Sequence, residues 1–489
     1  VFVAVVVAVV VVVVLMATVT AAGANVKIWQ VQDTGVLEFI GVPFAAPPVG
    51  ELRFAPPRNP EPWTGTKQCV TYPALGPQDD LLGMASAGLT MSLGQIVGRL
   101  LFRECCPCMG PEQNSEGLRA DMSEDCLYLN IWTPQCDGKR RPVFFYIPGG
   151  ALMSGGTYDS FDQDFPWDPE HNLYDGKHFC LRGDVVVVVV GYRLGLLGFG
   201  SLPVAGANWG FQDQLHALKF VKQNIASFGG DAGNVTICGE SAGGISVFAH
   251  LASPMSRGFF HKAISHSGCG PPVSKAFVEP RLPLIAKGLG LETEQLADLA
   301  ELRSVPVRSF VRATGALKKA GVVNGAALCP PAVQPVYGDE FLPVGFFAAY
   351  AAGSAAGIPI MLGHTKHETK AFKNFGLVPP EGKDRYIDYA LKVFMGNCGY
   401  EVEDTPEHRE AISEALGEVY DEYVRLCEER GDSADLHFIL DTDGQHKANF
   451  FRALPGLKSH GSNIFYSRFD VESTNGLGAC HGLDIPYIC

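Results

Sequence analysis

The stretch NVTICGESAGGISVFAHL, residues 234–251, reads as a buried strand that runs into Gly239-Glu240-Ser241-Ala242-Gly243 and leaves as an apolar helix. A serine at such a sharp strand-to-helix turn has its hydroxyl exposed at the helix N-terminus. Gly239 and Gly243 let strand and helix approach closely while the turn strains the residue between them. A bare Gly-x-Ser-x-Gly is weak evidence, because glycine, serine and alanine are common turn residues. Set between a strand and a helix, it marks Ser241 as a candidate nucleophile.

The flanking sequence supplies the rest of such a scaffold. VFFYI (143–147), VVVVVV (185–190) and IPIML (358–362) are short β-branched or apolar runs, as expected of strands covered on both faces. DQLHALKFVKQNIASF (213–228) has helical apolar spacing and stops at Gly229-Gly230. Further helices are expected near 383–395 and 406–428, and NIFYSRF (463–469) reads as another strand. Strands alternating with helices predict an α/β fold: a mainly parallel central sheet flanked by helices.

An acyl-transfer serine needs N–H donors for the oxyanion. Ala242, next in the chain, supplies one, and VFFYIPGGALMSGG (143–156) stands where a second source belongs. Gly149, Gly150 and Ala151 are small enough for a substrate to reach the main chain there. Donors at Gly150 and Ala151 would each contribute ~3 kcal/mol to transition-state stabilisation. A plain glycine turn is the alternative reading. In this arrangement the partners follow in the order serine, acid, histidine. Glu368 comes just after IPIML. Of the histidines beyond it, His408, His437, His446 and His460 lie in or beside helix-like polar stretches. His481 alone follows a strand and then a glycine-rich loop, STNGLGAC. It is the expected base, with Glu368 orienting its ring.

Bulk properties set limits. A chain of 489 residues suits either several average domains or one large α/β unit. With no Ser- or Pro-rich linker, residues 25–489 read as one domain with long loop insertions. The net charge of −14 argues against nucleic acid or an anionic membrane surface as a partner. Val1–Ala17 is unbroken apolar sequence followed by Ala22-Gly23-Ala24, so residues 1–24 are expected to be a secretory signal, with a membrane anchor as the alternative. In a secreted or otherwise extracellular chain the 14 cysteines suggest several disulfides and some buried thiols. Cys105, Cys106 and Cys108 lack a second ligand pair at zinc-finger spacing, so no metal is expected there. DTDG (441–444) does not have the spacing of a calcium loop. Asn234-Val235-Thr236 makes Asn234 a glycosylation candidate.

Together with these residues, several longer motifs carry a resemblance. They are FIGVPFAAPPVGELRFAPP (39–57), SEDCLYLNIWTP (123–134), GYRLGLLGF (191–199), GANWGFQDQ (206–214), AISHSG (263–268) and HGLDIPY (481–487). The chain resembles the type-B carboxylesterase/lipase family. The resemblance implies an α/β-hydrolase fold, hydrolysis of carboxylic esters, and no cofactor. It assigns Ser241, Glu368 and His481 as the triad and Gly150, Ala151 and Ala242 as the oxyanion hole. It also implies a Cys69–Cys126 bridge and ion pairs Arg53–Glu124 and Arg193–Asp213. Where the family has Asp-Glu-Gly around the acid, this chain has His367-Glu368-Thr369. The family continues past its histidine, which implies a C-terminal truncation here.

Substrate choice is weakly written. No Trp lies between Cys69 and Cys126, which disfavours choline esters held by cation–π attraction. YIPGGALMSGG is similar to the bile-salt-activated lipase branch of the family, which implies lipid-type esters, bile salts as partners and contact with a lipid interface. TMSLGQIVGRLLF (90–102) is an apolar lid or a packed insertion. A broad carboxylesterase and a non-catalytic, neuroligin-like adhesion module are the alternatives.

Overall fold

The computed structural model describes residues 18–21, 24–27, 29–30, 35–78, 121–158, 172–268, 270–323, 333–370, 379–397, 405–473 and 478–488. The apolar run 1–17, the cysteines at 105, 106 and 108, and the segment 90–102 lie outside them.

The main sheet has nine strands. In chain order they are β1 (Trp29–Gln30), β2 (Leu37–Pro43), β3 (Tyr128–Thr133), β4 (Arg141–Ile147), β5 (Val186–Val190), β6 (Gly230–Glu240), β7 (Lys262–His266), β8 (Ile360–Thr365) and β9 (Ile464–Phe469). Across the sheet the order is β9-β8-β7-β6-β4-β5-β3-β2-β1. From β5 to β9 every pair is parallel, and β1, β2, β3 and β5 pair antiparallel. The centre of the parallel part, β4 and β5, is almost wholly buried, whereas the edge strand β9 is half-buried to exposed. All five valines of β5 are buried, each contributing roughly 1.5–3 kcal/mol by leaving water.

Helix α1 (Trp209–Asn224) tightens into a 3-10 turn over Ile225–Phe228 and stops at Gly229, which adopts φ +78°. A Cβ there would lie 2.3 Å from the carbonyl oxygen of Gln135, so only glycine ends the helix at this point. The helix starts a turn earlier than its apolar spacing indicates, because Asn208 takes a left-handed conformation and redirects the chain into it. Strand β8 begins after Pro359, which has no N–H to give a neighbour. Its ladder therefore opens with Ile360 N donating to Asn463 O at 2.8 Å. Helix α2 (Ala242–Ala252) leaves the end of β6, packing under the sheet with Val247, Phe248 and Leu251 buried. Helices α3 (Lys383–Asn397) and α4 (Pro406–Arg430) build a satellite core around Tyr386, Tyr420 and Leu440. Helix α5 (Ala448–Ser459) follows a π-helical turn at Asp443–Lys447 and leads to β9.

The two expected ion pairs are present and buried. Arg53 forms a two-pronged bond to Glu124, with Nε to Oε1 at 2.7 Å. Arg193 does the same to Asp213, at 2.8 and 2.7 Å, and its amide adds a third bond to that carboxylate. Cys69 and Cys126 are both buried but stand as separate thiols. Burial pushes the Cys69 thiol up to about 11 and Cys126 higher still. The Asn234 side chain is half-buried at the sheet margin, where it accepts from Lys262 Nζ. Among the described residues no helix is long and apolar enough to cross a membrane.

Candidate active site

Ser241 joins β6 to α2 with φ 57° and ψ −122°, a region that non-glycine residues rarely occupy. Such strain persists only where the surroundings over-determine it. Here the surroundings are glycines. A Cβ on Gly243 would sit 1.9 Å from Ile147 O, and one on Gly239 would sit 2.3 Å from the Gly243 carbonyl carbon. The Ser241 amide donates to His266 O at 2.9 Å, tying the turn to β7.

The loop after β4 lies against this turn. A Cβ on Gly149 would come within 3.1 Å of the Ser241 Cβ. Gly150, Ala151 and Leu152 all have positive φ (113°, 55° and 59°), and Met153 N and Ser154 N close the turn on Gly150 O. Tyr192 Oη donates to Pro148 O at 2.6 Å, fixing where the loop begins. The expected donors Gly150 and Ala151 thus follow directly on the residue that packs on the serine, and Ala242 opens α2 beside it.

Glu368 stands three residues beyond β8 and is fully buried. Its Oε1 accepts from Ser267 Oγ at 2.6 Å and from Thr365 N at 2.7 Å. Its Oε2 is 2.6 Å from His481 Nδ1. Burial alone would raise its pKa, but His446, His481 and the Ser267 hydroxyl hold the carboxyl well below the usual carboxylate range. The closing loop is stitched to the acid's loop by main chain. His367 N donates to Ala479 O at 2.9 Å, His481 N donates to Glu368 O at 3.3 Å, and His367 bridges to Cys480 in parallel register. Glycine is required at 478, since a Cβ there would lie 2.4 Å from His367 Nδ1.

The outer nitrogen of His481, Nε2, lies 3.2 Å from Oε1 of Glu240, the residue before Ser241. Burial works against charge on the imidazole, but Glu240, Glu368 and Asp484 outweigh it and raise the His481 pKa. Burial also raises the Glu240 carboxyl. Asp484 reaches the other side of the site through His266 Nδ1 at 3.2 Å.

Glu368 and His481 are therefore in direct contact, and the histidine meets the strand end that carries Ser241. Three further residues belong to this neighbourhood and were not singled out in the sequence: Glu240, Ser267 and His446. The first two sit inside motifs already quoted, GESAG and AISHSG. By its sequence His446 lies in or beside a helix-like polar stretch. It lies on the π turn, with Nδ1 3.0 Å from Ser267 O and its ring 5.6 Å from that of His481.

The chain resembles solved esterases over nearly its whole length. A PNB esterase structure superposes with a TM-score of 0.71 at 27% identity, covering 96% of this chain and 83% of that one. Among curated proteins, a pyrethroid hydrolase of Rattus norvegicus is 32% identical across 94% of this chain and 73% of its own length. The acylcarnitine hydrolase of Mus musculus is 44% identical, but over 49% of this chain, and the match spans only 37% of that enzyme. The sheet order and helix layers are those of the α/β-hydrolase fold. The model of the carboxylesterase family matches residues 12–489, and the chain belongs to that family.

Proposed function

We propose that this chain hydrolyses carboxylic esters through an acyl-enzyme on Ser241. His481 Nε2 takes the hydroxyl proton as Ser241 Oγ bonds to the ester carbonyl carbon. The oxyanion so formed is held by the N–H groups of Gly150, Ala151 and Ala242. The imidazolium then gives its proton to the departing alkoxide as the ester C–O bond breaks. Water repeats the cycle to release the acid. Glu368 keeps the ring oriented and stabilises its cation. The observation that carries this reading is the 2.6 Å contact of Glu368 with His481, beside the strained turn at Ser241.

Lipid-type acyl esters are the substrate class favoured here, and an acylcarnitine hydrolase among the relatives supports it. Secretion, with Cys69 and Cys126 oxidised to a bridge, belongs to the same proposal; peptide mapping without reductant tests it. Turnover of p-nitrophenyl esters from acetate to palmitate, with and without bile salt, tests activity and substrate together. Turnover rising with chain length and stimulated by bile salt is expected. A preference for short chains indifferent to bile salt makes the protein a broad carboxylesterase. No turnover, together with no labelling of Ser241 by an organophosphonate, overturns the enzymatic reading in favour of a binding module.

A further inference from the structure

Glu368, His446 and His481 each offer a ligand atom, and the three atoms lie within 4.8 Å of one another. Two imidazoles and a carboxylate form a donor set that suits Zn²⁺ and Cu²⁺. His446 is prepared for such a role. The only thing its Nδ1 can do opposite the Ser267 carbonyl oxygen is donate, so the lone pair is on Nε2. Histidines that bind metals are held in that way, with the other ring nitrogen donating to a carbonyl or carboxylate. Glu368 is supported likewise by Ser267 Oγ and Thr365 N. The nearest cation on the π turn, Lys447, is engaged by Asp443 at 2.9 Å. Glu240 and Asp484 add negative charge around His481.

We infer that Glu368, His446 and His481 form an inhibitory seat for a divalent transition-metal ion, which switches the enzyme off by capturing the catalytic base. The inference rests on His481 being that base. An ion on His481 Nε2 occupies the lone pair that would accept the Ser241 proton. An ion on Nδ1 displaces the proton there onto Nε2, which then has no lone pair to accept the Ser241 proton, and the bond to Glu368 is lost. In either case no general base faces Ser241, and a chelator restores it.

The test measures both binding and turnover on the whole chain, with accessible thiols alkylated beforehand. Zn²⁺ or Cu²⁺ should inhibit reversibly, EDTA should restore activity, and Ser241 labelling by an organophosphonate should slow in parallel. In H446Q and H446F, each referred to its own metal-free rate, half-inhibition should need on the order of tenfold more metal or above, at least what losing a supporting group costs a metal site. Equilibrium dialysis of Zn²⁺ and the visible spectrum of Co²⁺ report binding without turnover. A His446-dependent site in a chain that hydrolyses nothing would leave the seat standing and remove the proposed activity. Unchanged metal sensitivity and unchanged dialysis in both folded variants would overturn the seat and leave the activity untouched.

Discussion

At the scale of single residues, the site depends on where protons rest. His481 must be neutral to act as base, and Glu240 and Glu368 raise its pKa. Activity should therefore climb with pH through a limb set above the ordinary histidine value of about 6.5. Glu240→Gln removes one of the charges that stabilise the imidazolium, so the limb should move to lower pH; a profile of kcat/KM against pH reads it, and an unmoved limb would rule Glu240 out. Ser241→Ala should lower kcat by on the order of 10⁶-fold, as loss of the nucleophile does in other serine hydrolases. Ser267→Ala takes one of three partners from the buried Glu368 carboxylate. It should reduce kcat with little change in KM, since the Ser267 hydroxyl is buried and engaged by Glu368. Ser241, Glu368 and His481 were legible because each falls at a strand end or glycine loop whose geometry the sequence advertises. Glu240 was visible in the letters but not in its role, which needs the distance to a residue far along the chain. His446 was hidden altogether: a helical period places it on a polar face, and the π turn that rotates it inward leaves no mark in composition.

At the scale of elements, the turn and the closing loop make different demands on glycine. Gly243→Ala puts a methyl group 1.9 Å from Ile147 O, forcing β4 and α2 apart. A loss of about 3 kcal/mol or more is expected from such overpacking, read as a lower urea midpoint. Gly478→Ala strikes the His367 ring instead and must also hold φ +62°. It should disturb the His481 loop more than the core, so kcat should fall further than the midpoint does. The apolar runs identified β4, β5 and β8 to within about three residues, because buried strands need little more than apolar or β-branched side chains. Strand β9 was found in the same way although its residues are half-buried or exposed. The antiparallel end, β1 to β3, was not assigned from periodicity. Its strands are defined by pairing with segments far away in sequence, and pairing of that kind is not encoded locally.

At the scale of the whole molecule, the buried Arg193–Asp213 pair ties the loop after β5 to α1. Asp213→Ala leaves a guanidinium uncompensated in a site where Arg193 is 4% exposed, which should cost about 3–5 kcal/mol. A double variant, R193M/D213L, should recover much of that loss if the pair serves packing and not specificity; denaturant curves distinguish the two. The sheet brings together residues from β4, β6, β7, β8 and the chain's last described segment, so the site forms only once nearly all of the parallel order is in place. The stitching of His367 to Ala479 and of His481 to Glu368 has a further consequence for motion. Acid and base ride on loops that share backbone bonds, so neither opens without the other. The amide protons of His367 and His481 should therefore exchange with solvent as one cooperative unit, with a single opening free energy. Heat inactivation should follow that local opening and precede global unfolding.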